Sequence, residues 1–173
     1  MAEYWDAYLE NGLKTNETLI RGKKIADGLF HLVVEILVIN NDNEILFMKR
    51  HPDKRSYASF FEASAGGSVL KGEESYDAVI RELYEETGIK IDKPVFVDRR
   101  VSEKHRIIFD EYIVRLYLNK LPKITLQKGE TVDFRWVKKE ELYNFYKKNS
   151  IIPGHIDKIN NFFSCIEKSK NIL

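Results

Sequence analysis

Runs of β-branched and aliphatic residues separated by polar turns predict several strands along the chain. Residues 31–39 (HLVVEILVI) and 44–50 (EILFMKR) flank the polar turn Asn40-Asn41-Asp42-Asn43, so we predict a strand, a turn and a second strand. An earlier pair of strands at residues 4–9 and 15–21 flanks the turn signal Glu10-Asn11-Gly12 and predicts an amino-terminal hairpin. Further strands are predicted at residues 95–101, 107–118 and 132–137.

Helical spacing of apolar residues predicts one central helix and two later ones. Residues 75–87 carry an apolar stripe that includes Val79 and Leu83, with Ser75 placed to cap the start and Gly88 to end the helix in a left-handed conformation. Weaker patterns predict helices at residues 138–147 and 156–168. We therefore expect an α/β (α+β) fold, in which helices cover a mixed β-sheet.

Length and charge narrow the possible classes of protein. The 173 residues suit one domain, with a hairpin extension at residues 1–25 and a carboxy-terminal helix at 150–173. A net charge of +1 gives no general reason to expect binding to nucleic acid or to a membrane. Cys165 is the only cysteine, which fits a reducing compartment, and no signal peptide is recognisable, so we expect a cytoplasmic protein. The final helix leaves a homodimer open.

Three glutamates crowd one face of the central helix. Glu82, Glu85 and Glu86 lie at positions i, i+3 and i+4, where like charges cost about 0.2–0.5 kcal/mol per pair. They also lie near the helix carboxyl end, where the dipole disfavours anions. Carboxylate oxygens bind Mg²⁺, and a cation held there would also attract phosphate oxygens. A solvated helix face is the alternative explanation for an isolated glutamate run.

Residues before the helix extend this constellation. Glu73 lies in the preceding loop, and Arg81 can hold carboxylates through paired hydrogen bonds. Gly66 and Gly67 let the backbone approach a ligand closely, and the Gly66 carbonyl is a candidate fourth oxygen ligand for a metal ion.

The segment from residue 67 to residue 89 resembles the Nudix box, G-x5-E-x7-R-E-U-x-E-E-x-G-U, where U is a bulky aliphatic residue. All nine specified positions fit, with both spacers at the right length. The matching residues are Gly67, Glu73, Arg81, Glu82, Leu83, Glu85, Glu86, Gly88 and Ile89. Residues 3–8, 21–22, 31–34 and 49–51 resemble a Nudix subgroup close to isopentenyl-diphosphate isomerase.

The resemblance implies a Nudix fold and a metal-dependent pyrophosphohydrolase. Glu82, Glu85 and Glu86 would bind Mg²⁺ or Mn²⁺, and Glu82 or a carboxylate from a later loop would activate the attacking water. Glu73 would hold Arg81 or join the metal shell. The expected substrate is a small molecule, a nucleoside diphosphate derivative or a related diphosphate.

Other residues are candidates for catalysis or substrate binding. Glu130 is a candidate catalytic carboxylate in a later loop, with Glu111 as a rival and a solvated turn residue as the alternative. Lys49 and Arg50 belong to a basic cluster ahead of the box and, with Gly67 and Glu73, are the candidates for binding the substrate.

Two other functions stay open at this point. The isomerase resembled by the subgroup needs a cysteine in the loop before the box, but residues 62–67 (EASAGG) contain none, and Cys165 lies far away in the sequence. A ligand-binding Nudix domain without catalysis usually has an eroded box, whereas the box here is intact.

Overall fold

The computed structural model describes residues 2–117, 122–160 and 163 of the chain. The strands in these residues are β1 (Tyr4–Tyr8), β2 (Lys14–Ile20), β3 (His31–Ile39), β4 (Glu44–Arg50), β5 (Phe61–Ala63), β6 (Ala65–Ser68), β7 (Val95–Ser102), β8 (Ile107–Arg115) and β9 (Thr131–Lys138). The helices are α1 (Ser75–Thr87) and α2 (Leu142–Lys148), and residues 155–160 are also helical. Cys165 and most of the predicted final helix lie outside the described residues.

A seven-stranded mixed sheet forms the centre of the fold. Its main order is β5-β4-β3-β8-β7, with β6 beside β3 and β9 beside β4. The pairing of β3 with β8 is parallel, and the other pairings in this sheet are antiparallel. Along one edge of β3, the pairing with β4 is confined to Ile39 and Ile45, while β6 pairs with residues 33–36. The predicted mixed sheet and the amino-terminal hairpin are both confirmed.

Helices lie on both faces of this sheet. Successive residues of a strand point to opposite sides, so the apolar strands contribute side chains to both faces. On one face, α1 buries Ala78, Val79 and Leu83 against side chains such as Val34 and Ile36. On the other face, α2 and the helical residues 155–160 bury Leu142 and Ile159 against a second apolar cluster, with members such as Leu37 and Phe47. Within the part of the chain that is described, no helix combines the length and apolar character needed to cross a membrane.

The local structure differs from the sequence prediction in three places. The N-cap residue of α1 is Glu74 rather than Ser75, and it makes no side-chain capping bond. Ser75 is the first helical residue, and its hydroxyl lies 2.8 Å from the Tyr112 hydroxyl. The helix predicted at residues 138–147 begins as a 3-10 turn, Lys139–Glu141, before α2. The short strands β5 and β6 were not predicted, since Ala and Gly are poor strand formers and tertiary pairing outweighs their preference.

The amino-terminal hairpin packs on the sheet through His31. The imidazole stacks on Trp5 with ring centroids 4.4 Å apart, and only 8% of His31 is exposed. This placement agrees with a packing role for His31. Burial lowers the pKa of His31 from its ordinary 6.5 to about 4, so the ring is neutral in the folded protein at pH 7.

Stability is expected to fall as the pH is lowered from 6.5 to 4. Over this interval the unfolded chain protonates His31 and the folded protein does not, so the free energy of unfolding decreases. The contribution of His31 is on the order of 3 kcal/mol. Urea unfolding at several pH values should give a shallower decrease for His31→Gln than for the wild type. His105→Gln, at an exposed position, is the control, and an identical decrease in both variants would contradict the prediction.

Candidate active site

Arg81 connects three of the predicted glutamates into one ion network. Its guanidinium donates from Nε to Glu73 Oε1 at 2.7 Å and from Nη2 to Glu73 Oε2 at 2.8 Å. Its Nη1 donates to Glu82 Oε1 at 2.7 Å and reaches Glu85 Oε2 at 3.4 Å. Burial acts to raise the pKa of Glu73, but the hydrogen bonds from Arg81 and from the Leu70 N–H outweigh it and lower the pKa. Arg81 therefore fixes the loop before α1 to the glutamate face.

Glu82 packs directly on the backbone of β6. A Cβ atom at Gly67 would overlap the Glu82 carboxyl group, and a Cβ at Gly66 would lie 2.7 Å from the Val34 carbonyl oxygen. Gly66 therefore needs glycine for the close approach of the backbone, whereas a side chain at position 67 would displace the Glu82 carboxyl group. Burial raises the pKa of Glu82, with the hydrogen bond from Arg81 acting in the opposite direction.

Glu86 is the most buried of the three helix glutamates. Only 8% of the residue is exposed, and within the described residues its Oε2 atom has no hydrogen-bond partner. Burial raises the pKa of Glu86 well above its usual range, and the negative charges of Glu62 and Glu82 raise it further. A buried carboxylate oxygen without a partner is energetically costly unless a cation or a proton joins it. This orphaned oxygen fits a divalent cation.

Glu85 differs from its neighbours on the helix face because its side chain is 44% exposed. Within residues 2–117, 122–160 and 163, no three Asp, Glu, His or Cys side chains stand in an arrangement that would hold a metal ion directly. Arg81 occupies oxygens of Glu82 and Glu85 in this arrangement. A metal bound by all three glutamates would therefore require these carboxylates to rotate away from Arg81.

Two ion pairs extend the charged region beyond α1. Glu130, a predicted catalytic residue, forms a salt bridge with Lys54. The negative charge of Glu130 raises the pKa of Glu86, so the two carboxylates interact electrostatically. Glu62 accepts hydrogen bonds from Arg50 Nη1 at 3.0 and 2.9 Å. Burial raises the pKa of Glu62, and Arg50 acts against this rise.

The remaining candidates lie in less direct positions. Lys49 Nζ lies 5.6 Å from the centroid of the Phe61 ring, on the face of the sheet that α2 covers. Glu111 is paired with Arg100 at 3.3 Å. Of the predicted basic pair, Arg50 therefore reaches the site through Glu62, whereas Lys49 packs on an aromatic ring.

A cavity of about 370 Å³ opens beside β6. Its polar lining includes Glu35, Arg50, Glu62 and His155, and the backbone of Gly66 and Gly67 borders it. Sequence reasoning missed Glu35, Glu62 and His155 as site residues. A signal existed for Glu35, since it is the one charged residue in the apolar run of β3, but Glu62 and His155 reach the cavity only through tertiary packing.

Ser64, in the segment before the box, has a structural role. The Ser64 side chain is fully buried, donates to the Leu46 carbonyl at 2.8 Å and accepts from the Val38 N–H at 2.9 Å. The Ser64 hydroxyl therefore links the backbones of β3 and β4.

Comparison with known proteins places the chain in a family. The NUDIX domain model matches residues 29–157. An uncharacterized Nudix hydrolase from Listeria monocytogenes is 39% identical over 151 residues, which cover 87% of this chain and 89% of the relative. A prenyl-diphosphate phosphatase from Methanosarcina mazei is 28% identical over 83% of this chain and 80% of the relative. A crystal structure from Deinococcus radiodurans has the same fold, with a TM-score of 0.69, 18% identity and coverage of 86% and 92% of the two chains.

The chain therefore belongs to the Nudix family, as a Nudix pyrophosphohydrolase. This confirms the family and the class of enzyme that the box predicted, and the fold agrees with both.

Proposed function

We propose that the protein hydrolyses the phosphoanhydride bond of a nucleoside diphosphate derivative or a related diphosphate, with Mg²⁺ or Mn²⁺ bound at Glu82, Glu85, Glu86 and the Gly66 carbonyl. The observation that carries this proposal is the buried Glu86 carboxylate, whose Oε2 lacks a hydrogen-bond partner among the described residues. The negative charge of Glu82, a partly buried glutamate, also acts on this carboxylate. When bound, the cation would offset negative charge on the phosphate oxygens and lower the pKa of the attacking water.

The side chains around this centre have separate tasks in the proposal. Arg81 and Glu73 hold the loop and the glutamate face in place. Glu82 or Glu130 accepts the proton of the attacking water, and the salt bridge from Lys54 holds the Glu130 carboxylate in place. Arg50, which lines the cavity, and Lys49 are the candidate cations for attracting the diphosphate, and Gly67 leaves room for its approach.

A substrate screen tests the proposed function. The purified protein is incubated with Mg²⁺ and with nucleotide sugars, dinucleotides, nucleoside di- and triphosphates and isopentenyl diphosphate. We expect phosphate-containing products from at least one nucleotide derivative. Conversion of isopentenyl diphosphate without release of phosphate would instead identify an isomerase. Full-length protein that binds these compounds but converts none of them would support a binding-only domain.

Gly67→Ala is expected to impair hydrolysis with little loss of stability. The added methyl group would overlap the Glu82 carboxyl group, which must rotate away from β6. We expect kcat to fall by about 10- to 100-fold, comparable to the loss of a group that orients a metal ligand. Thermal unfolding of the same variant shows whether the fold is retained. Wild-type rates in Gly67→Ala would contradict the position assigned to Glu82.

A further inference from the structure

The cavity beside β6 has one polar and one apolar wall. Val33, Ile107 and Phe109 form the apolar wall, and the Arg100 guanidinium covers the Phe109 ring at 4.1 Å from its centroid. The volume of about 370 Å³ is near the small end of the range of roughly 300–1,000 Å³ for ligand pockets. The cavity therefore suits one compact group with both polar and apolar faces.

His155 presents a fixed hydrogen-bond donor in this cavity. Its Nδ1 accepts the Ala63 N–H at 3.1 Å, so the neutral ring carries its proton on Nε2. Burial lowers the pKa of His155 to about 4, which keeps the ring neutral at pH 7. The Ala63 hydrogen bond thus sets both the orientation of the ring and the position of its donor.

Glu35 presents an acceptor opposite this donor. Its Oε2 accepts from Lys158 Nζ at 2.9 Å and lies 3.7 Å from Arg100 Nη2, which leaves Oε1 directed at the imidazole. The distance from Glu35 Oε1 to His155 Nε2 is 3.9 Å, too long for a direct hydrogen bond. A hydroxyl group placed beside this pair would donate to Glu35 and accept from His155, which satisfies both groups at once.

We propose that this cavity binds a hydroxylated group, the sugar of the diphosphate substrate. His155 and Glu35 recognise one of the hydroxyl groups of this sugar. The inference rests on the proposed hydrolytic function. The apolar wall takes the C–H face of the sugar ring, and the polar wall takes its hydroxyls. Gly67 borders the cavity and also faces the Glu82 carboxyl group of α1, so the sugar would lie next to the diphosphate. A prenyl chain would offer no hydrogen bond to Glu35 Oε1 or to His155 Nε2, which lie 3.9 Å apart in the cavity lining.

The first test compares substrates and two variants of His155. His155→Asn keeps an acceptor near the position of Nδ1 and loses the Nε2 donor, whereas His155→Gln retains an amide donor with the reach of Nε2. With ADP-ribose and UDP-glucose as substrates, we expect His155→Asn to raise KM by about tenfold while kcat changes less than about threefold, and His155→Gln to restore much of the loss. His105→Asn, at an exposed position, is the matched control.

The outcomes separate this inference from the proposed function. Efficient hydrolysis of geranyl diphosphate, with ADP-ribose and UDP-glucose poorly used, would overturn the sugar assignment and leave the hydrolase proposal intact. An equal KM for His155→Asn and the wild type would also overturn it. ADP, which has a nucleoside ribose and no second sugar, is tested as a third compound. If ADP responds to the substitution as ADP-ribose and UDP-glucose do, the group recognised is the ribose of the nucleotide. If only ADP-ribose and UDP-glucose respond, it is the sugar linked to the distal phosphate. Both results support the inference.

A binding measurement keeps the inference testable if no compound is hydrolysed. Calorimetric titration of ADP-ribose and geranyl diphosphate into the full-length protein is repeated with His155→Asn. Preferential binding of ADP-ribose that weakens about tenfold in the variant supports the sugar site even though the hydrolase proposal has failed. Binding of neither compound, or an unchanged affinity in the variant, overturns it.

Discussion

The Glu86→Gln variant is expected to lose about a thousandfold in kcat while the metal-free protein becomes more stable. Gln has the same shape as Glu but lacks the negative charge that the proposed cation needs. Metal binding and the charge stabilisation it supplies would therefore be lost. Steady-state hydrolysis with Mg²⁺ measures this part of the prediction, and rates within about tenfold of wild type would reject the metal role of Glu86.

The gain in stability follows from the burial of the same carboxyl group. Burial and the neighbouring carboxylates raise the pKa of Glu86 in the folded protein above the value of the unfolded chain. The folded state thus binds this proton more tightly, so the metal-free wild type loses stability as the pH rises above the ordinary glutamate range. Glu86→Gln lacks this loss, and we expect a gain on the order of 1–2 kcal/mol at pH 7.

Thermal unfolding with and without Mg²⁺ distinguishes the two effects. Mg²⁺ should raise the Tm of the wild type and should raise that of Glu86→Gln much less, because ligand binding stabilises only the state that binds. Glu141→Gln removes a charge from an exposed turn and serves as the matched control. A lower stability of metal-free Glu86→Gln would contradict the argument from burial.

The Arg81→Ala variant is expected to lose about 3 kcal/mol of stability. The Arg81 side chain is 25% exposed and its partners Glu73 and Glu82 are 17% and 15% exposed, so the substitution leaves partly buried carboxylates without their counter-charge. For a chain of this length the Tm should fall by about 6–12 °C. Arg81→Lys keeps the charge but cannot form the paired hydrogen bonds, so we expect an intermediate loss.

Metal should partly reverse the effect of Arg81→Ala. Without the guanidinium, Glu82 and Glu85 repel each other and a divalent cation is the remaining source of positive charge for them. The rise in Tm on adding Mg²⁺ should therefore be larger in Arg81→Ala than in the wild type. Arg135→Ala breaks the exposed pair with Asp133, where the arginine side chain is 57% exposed, and should cost less than about 1 kcal/mol. A similar cost in both variants would show that the Arg81 network contributes little.

Local sequence patterns were sufficient for the main elements of the fold. Runs of β-branched and aliphatic residues with turn signals between them predicted β1 to β4. Helical spacing predicted α1, with Gly88 at its left-handed end, where φ is 73°. These features depend on residues within a few positions of each other, so a single sequence contains the information. The register of β3 with β8 joins residues about 76 positions apart, such as His31 and Ile107, and no local pattern encodes it.

For the candidate site, the sequence by itself determined that Glu82, Glu85 and Glu86 share one face of α1, because their spacing fixes this whatever surrounds the helix. Tertiary structure decided how these equivalent-looking residues differ. Packing of α1 against the sheet buries Glu86 and leaves Glu85 exposed, because burial depends on what the helix faces. Tertiary structure also forms the cavity. There, Glu35 Oε1 of β3 and His155 Nε2 of the last helical segment lie 3.9 Å apart, although the two residues are 120 positions apart in the chain.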